Sequence, residues 1–147
     1  MENKSILLVE DNPSDIALTI RAFEKANILN PLIVKEDGQS AIDYLFAQGE
    51  FSDREIDDLP ALILLDLKLP IIGGIEVLKQ IRENPITKRC LVVILTSSKE
   101  DQDLAMSYDL GVNSYIRKPV DFNQFVDAVK QLGFYWLLLN EAPPSIK

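Results

Sequence analysis

Four strand-length apolar runs in this chain end on side chains that could act together on a charged oxygen. Glu10 and Asp11 follow "SILLV", Asp66 closes "ALILLD", Thr96, Ser97 and Ser98 follow "CLVVIL", and Lys118 closes "NSYIRK" just before Pro119. Two bare carboxylates about 4 Å apart repel by roughly 4 kcal/mol at an effective dielectric near 20, so three gathered at one place need a cation or a shared proton. The chain contains no histidine. An oxygen-only donor set selects a hard ion, and a shallow site with room for water and phosphate suits Mg²⁺ better than Ca²⁺. Lys118 then offers a mobile point charge, and Thr96 a hydroxyl donor, to an oxyanion beside the ion. A phosphoryl group meets both requirements. With its oxygens neutralised, a carboxylate can act as nucleophile toward phosphorus, and Asp66, closing the central apolar run, is the predicted acceptor.

These residues have to be carried to one place by the elements that precede them. Runs at 5–9, 31–36, 61–66, 90–95 and 113–118 have strand length and are separated by helix-length segments. Several are apolar without alternation, which predicts strands covered on both faces, as in a parallel sheet between two helix layers. The expected class is doubly wound α/β, five parallel strands and five helices, with its ligand site outside the carboxyl ends of the strands. The first helix should start at Asn12 as cap, with Pro13 at the first position, Asp15 at the third, and Ile16, Ile20 and Phe23 facing inward. Later helices follow Gly38 (stripe Ala41, Ile42, Leu45, Phe46) and stop near Gly49, run from about Gly74 to Asn84, span roughly Lys99 to Leu110 with Gly111 just beyond, and start near Asp121 or Asn123 with Phe122, Phe125, Val126 and Val129 inward. The acidic stretch "QGEFSDREIDDLP" reads as a solvated loop.

Composition narrows the function classes. With 15 basic and 23 acidic residues the net charge is −8, which repels nucleic acid and anionic lipid, so neither is an expected partner. No N-terminal segment has the form of a signal peptide or membrane span, and a cytoplasmic setting is expected. Cys90, the single cysteine, lies in an apolar run and reads as a buried structural thiol. The chain of 147 residues is expected to form a single domain, with a core over about 5–140 and a tail over 141–147. Phe134, Tyr135, Trp136 and Leu138 fall in a continuous apolar run, which on one helix points in all directions. The predicted consequence is a homodimer through that helix, the alternative being a tail folded back on its own domain.

The motifs "LLVEDN" at 7–12, "LLDLKLP" at 64–70, "GG" at 73–74, "ILTSS" at 94–98 and "YIRKP" at 115–119, in that order, resemble the response-regulator receiver domains of two-component signalling. The resemblance spans about residues 5–140. It implies a flavodoxin-like strand order 2-1-3-4-5 and a phosphoryl group accepted by Asp66 from a partner histidine kinase. It also implies Mg²⁺ held by Glu10, Asp11, Asp66 and the backbone carbonyl of Lys68, with Lys118 paired to the phosphoryl oxygens. Thr96 would move toward those oxygens, Tyr115 would swing inward behind it, and the bond before Pro119 would be cis. Within the family, "QGEFSD" and the final "FYWLLL" resemble the small regulators paired with cyanobacterial phytochromes. That implies a phytochrome as the kinase and signalling by protein contact without a DNA-binding output domain.

Two rivals from other classes are weaker. An aspartyl-phosphate phosphatase of haloacid-dehalogenase type needs a second acid two residues after the nucleophile, where this chain has Lys68. A flavodoxin-like electron carrier needs a phosphate-cradling loop after the first strand, where it has Glu10 and Asp11. The expected role is therefore signalling and not enzymatic turnover.

Overall fold

The computed structural model describes residues 4–118 and 121–133. Five parallel strands, β1 (Ile6–Val9), β2 (Leu32–Lys35), β3 (Leu62–Leu65), β4 (Val92–Thr96) and β5 (Ser114–Arg117), form one sheet in the order β2-β1-β3-β4-β5. The helices are α1 (Pro13–Lys25), α2 (Gly38–Leu45), α3 (Gly74–Glu83), α4 (Asp101–Asp109) and α5 (Phe122–Leu132). This is the doubly wound architecture expected from the apolar runs. The strands β1, β3 and β4 are buried along their length, whereas the edge strands β2 and β5 are only half-buried.

Side chains alternate across a strand, so each central strand feeds two cores. Leu7, Val9, Ile63, Leu65, Val92 and Ile94 pack with Ala41, Ile42, Leu45, Val77, Leu78 and Ile81 of α2 and α3. Their neighbours Ile6, Leu8, Leu62, Leu64, Val93 and Leu95 pack with Ala22 and Phe23 of α1 and Phe125, Val126 and Val129 of α5. Cys90 is buried in the first core, and burial pushes its thiol up to about 11, out of the nucleophilic range.

Some sequence expectations change. Ile20 is 37% exposed, because the inward stripe of α1 is Thr19, Ala22 and Phe23, and Ile20 lies about 100° round the helix from Thr19. Phe46 caps the end of α2 and is half-buried. α4 begins at Asp101, two residues later than expected. The acidic loop contains a short 3-10 helix, Gly49–Phe51, whose Phe51 ring packs edge-on against Tyr44. Arg54 lies over the Tyr44 ring and donates to the Tyr44 carbonyl, so part of the stretch read as solvated is a packed turn. Phe134, Tyr135, Trp136, Leu138, Pro119 and the 141–147 tail lie outside the described residues.

At the end of the sheet opposite the strand carboxyl ends, Arg82 donates to four backbone carbonyls. Nε reaches Leu110 O (2.5 Å), Nη1 reaches Lys88 O (3.0 Å) and Cys90 O (2.8 Å), and Nη2 reaches Gly111 O (2.9 Å). Gly111, at φ 74°, sits in the left-handed conformation just past α4, as a glycine there permits.

Candidate functional site

The sheet continues one residue beyond its strands, and that extension positions the acids. Glu10 N donates to Lys35 O (3.0 Å), Asp66 N to Val9 O (3.0 Å) and Lys118 N to Thr96 O (2.8 Å). Each reactive side chain thus leaves a backbone already fixed by the neighbouring strand. Behind Asp66, Gly74 opens α3 with its N–H on Leu67 O (3.0 Å). A Cβ there would stand 2.3 Å from Asp66 O and 2.5 Å from the Leu67 Cα, so only glycine lets the helix approach. Gly74→Ala is expected to destabilise the fold by about 2 kcal/mol or more, as overpacking against backbone does, read as a lower urea midpoint at unchanged slope.

Glu10, Asp11 and Asp66 bring one oxygen each to within 4.8 Å of one another. Glu10 and Asp66 are buried and Asp11 is exposed, so the cluster is open to water on one side. Three carboxylates with neither sulfur nor imidazole fit a hard divalent ion. Asp66 Oδ1 accepts from Lys68 N (3.1 Å), while the Lys68 side chain is exposed. Lys68 therefore meets the aspartate through its backbone amide.

Lys118 closes the site from the other side. Its ammonium lies 2.6 Å from Glu10 Oε1, 2.8 Å from Asp15 Oδ2 and 3.3 Å from Asp66 Oδ2, and its side chain is 13% exposed. Burial works to lower its pKa, but the hydrogen bonds to Asp15 and Glu10 and the charge of Asp66 outweigh it, so the ammonium is held firmly protonated. At Glu10, by contrast, burial prevails, helped by the negative charge of Asp66, and lifts the carboxyl to about 7 against the pull of Lys118.

Thr96 ends β4 fully buried, and its Oγ1 accepts from Ser98 N (3.2 Å). Ser98, also buried, donates from Oγ to Asp103 Oδ2 (2.6 Å) in the first turn of α4. Tyr115 pairs with Ile94 in the ladder and packs on the α2–α3 core. Its hydroxyl is buried without a hydrogen-bond partner among the described residues.

Two residues here escaped the sequence reading as site residues. From sequence Asp15 reads as a helix-start acid, and Ser98 as one of several hydroxyls after a strand. The signal for Asp15 is its place in the first turn after the acid pair, because helical side chains lean back toward the N-terminus and hence toward the strand end.

Known proteins resemble this chain over most of its length. A family model described as response regulator receiver domain matches residues 6–130. The probable methanogenesis regulatory protein FilR2 of Methanothrix harundinacea is 41% identical over 138 residues, covering 94% of this chain and 86% of that protein. Response regulator Rcp1 of Synechocystis sp. is 40% identical over 134 residues, 91% of this chain and 89% of Rcp1. A crystal structure of the Mn²⁺-bound form of Rcp1 superposes with a TM-score of 0.83 at 38% identity, covering 96% of this chain and 99% of that one. The phosphorylated cyanobacterial phytochrome response regulator RcpA superposes at 0.85, also with 38% identity, over 97% of this chain and 100% of that one.

Proposed function

Because the chain belongs to the response regulator receiver domain family, we propose that Asp66 accepts a phosphoryl group from a phosphohistidine of a partner histidine kinase. The observation that carries this is one ammonium, Lys118, bridging two carboxylates, from the ends of β1 and β3, of a three-acid cluster. In the transfer an Asp66 carboxylate oxygen forms a bond to phosphorus, the P–N bond to the donor imidazole breaks, and the leaving nitrogen keeps the electron pair and takes up a proton. Lys118, already protonated, donates hydrogen bonds to the transferred oxygens, and Thr96, on the neighbouring strand, would add its hydroxyl. Glu10, Asp11 and Asp66, with the Lys68 carbonyl, would hold Mg²⁺, which when bound supplies positive charge against those same oxygens.

The similarity to RcpA, a cyanobacterial phytochrome response regulator, supports a phytochrome as the kinase, and the buried Tyr115 hydroxyl, unpartnered among the described residues, fits a side chain that responds to Thr96. Phosphorylation would then alter the surface around α4, β5 and α5, which signals by protein contact in the cytoplasm. The apolar run holding Phe134, Tyr135, Trp136 and Leu138 supports self-association as a homodimer. The test is incubation with acetyl phosphate and Mg²⁺ followed by intact mass. Wild type should gain one phosphoryl group, and chelation of the metal should abolish the gain; an unchanged mass would refute the reading.

Binding of the ion requires Glu10 to be ionised, and its carboxyl is raised to about 7. Protons therefore compete with the metal below that pH, and apparent Mn²⁺ affinity should fall about tenfold between pH 8 and pH 6, measured by titration of the free ion.

A further inference from the structure

Lys118 has three N–H bonds, and each faces a different carboxylate. Two of those acids, Glu10 and Asp66, belong also to the cluster with Asp11 that fits a divalent ion. An oxygen engaged with a cation is a poorer acceptor for an ammonium, and phosphorylation would turn one Asp66 oxygen into the bridging atom of an acyl phosphate, a weak acceptor. Asp15 stands outside the cluster, 2.8 Å from the same nitrogen, and is the one of the three partners whose carboxylate is not shared with it.

Its setting is that of a fixed anchor. Asn12 Oδ1 accepts from Ser14 N (2.9 Å) and Asp15 N (3.1 Å), closing the start of α1. The Asp15 carbonyl accepts from Thr19 Oγ1 (2.8 Å). The Asp15 side chain is 28% exposed against 2% for Glu10 and 5% for Asp66, so it approaches the ammonium from the water side while the other two lie beneath. An acid at this position needs only the helix N–H groups to be useful to the helix. Here one of its oxygens instead reaches a lysine 103 residues away.

We propose that Asp15 is a positioning residue for phosphoryl transfer: it tethers the Lys118 ammonium at the mouth of the site, so that its other two N–H bonds turn to the incoming oxygens. This rests on the reading of Asp66 as phosphoacceptor. Glu10 and Asp66 can then serve the cation without releasing Lys118 to solvent.

The test compares wild type, Asp15→Asn and Asp15→Glu in three measurements: the ¹⁵N-correlated signal of the Lys118 ammonium with Mg²⁺ present, Mn²⁺ affinity, and the rate of labelling by acetyl phosphate. For Asp15→Asn the ammonium signal should vanish into solvent exchange and the rate should fall about thirtyfold, within the range typical of groups that orient a reactive side chain, with Mn²⁺ affinity changed less than about threefold. Asp15→Glu, which keeps the charge, should stay within about threefold of the wild-type rate. Equal rates for wild type and Asp15→Asn, a persistent ammonium signal in that variant, a rate loss matched by an equal loss of Mn²⁺ affinity, or an Asp15→Glu chain as slow as Asp15→Asn would each overturn the tether. A wild-type chain that takes no label overturns the role of Asp66 itself, which separates the two failures.

Discussion

Asp66→Asn should take no phosphoryl group from acetyl phosphate with Mg²⁺ present, and its intact mass should stay that of the unlabelled chain while wild type is expected to gain one adduct. The expectation is all-or-none because the amide that replaces the carboxylate is a far poorer nucleophile toward phosphorus, and the other two acids of the cluster, Glu10 and Asp11, would serve as ligands to the ion. The fold should survive. Asp66 is tied into the sheet by its backbone N–H to Val9 O, which the substitution leaves alone. Its side chain contributes the longest of the three contacts to Lys118, 3.3 Å, so little of the ammonium's support is lost. Thermal unfolding alongside the mass measurement separates loss of the acceptor from loss of structure, and labelling of Asp66→Asn at the wild-type level would place the acceptor elsewhere.

Lys118→Ala is expected to act on both chemistry and stability. Labelling should slow by about a hundredfold or more, the scale seen when a donor to developing oxyanion charge is removed. Without metal, Glu10, Asp15 and Asp66 are left facing one another with no ammonium between them, and breaking a largely buried charge pair typically costs about 3 kcal/mol or more. The pH dependence has a definite sign. The folded-state carboxyl of Glu10 already lies near 7, above its ordinary value of 4.5, and loss of Lys118 removes an influence that lowers it. A folded-state acid raised in this way holds its proton more tightly than the unfolded chain does, so its contribution is fully present below its unfolded value and fades as pH rises toward and through 7. The stability deficit of Lys118→Ala should therefore be larger at pH 8 than at pH 6, and added Mg²⁺ should shrink it. Urea unfolding at the two pH values, with and without the ion, measures all of this; a deficit independent of pH would show that Lys118 does not control the acids.

The sheet was legible in the sequence because its three central strands are apolar on both faces. Runs such as Ile6 to Val9 and Leu62 to Leu65 have no alternation to confuse, and the site residues follow directly from where those runs stop. Gathering Glu10, Asp11, Asp66 and Lys118 at one rim needed only parallel strands of similar length. What sequence concealed were features set by tertiary context. Ile20 obeys the helical spacing and still faces outward, because the packing of α1 is centred on Ala22 and Phe23. Phe51 lies in an acidic stretch, yet its ring has Tyr44 beside it and Lys35 Nζ 4.3 Å from its centre. Ile71 adopts φ 71° while 78% exposed, a backbone state unfavourable for a β-branched residue that no pattern of neighbours announces. Asp15 was hidden by having a sufficient local reason to exist.

The four carbonyls held by Arg82 have a mechanical consequence for α4. Leu110 O and Gly111 O fix the trailing end of that helix to the guanidinium of α3, while its leading end is joined to β4 through the Ser98 to Asp103 contact, one hydrogen bond from Thr96. A rod clamped at one tip and hitched at the other to a small buried hydroxyl has the form of a lever with its fulcrum at Arg82. A slight pull at the threonine would therefore sweep the near tip through the widest arc and leave the far tip almost still.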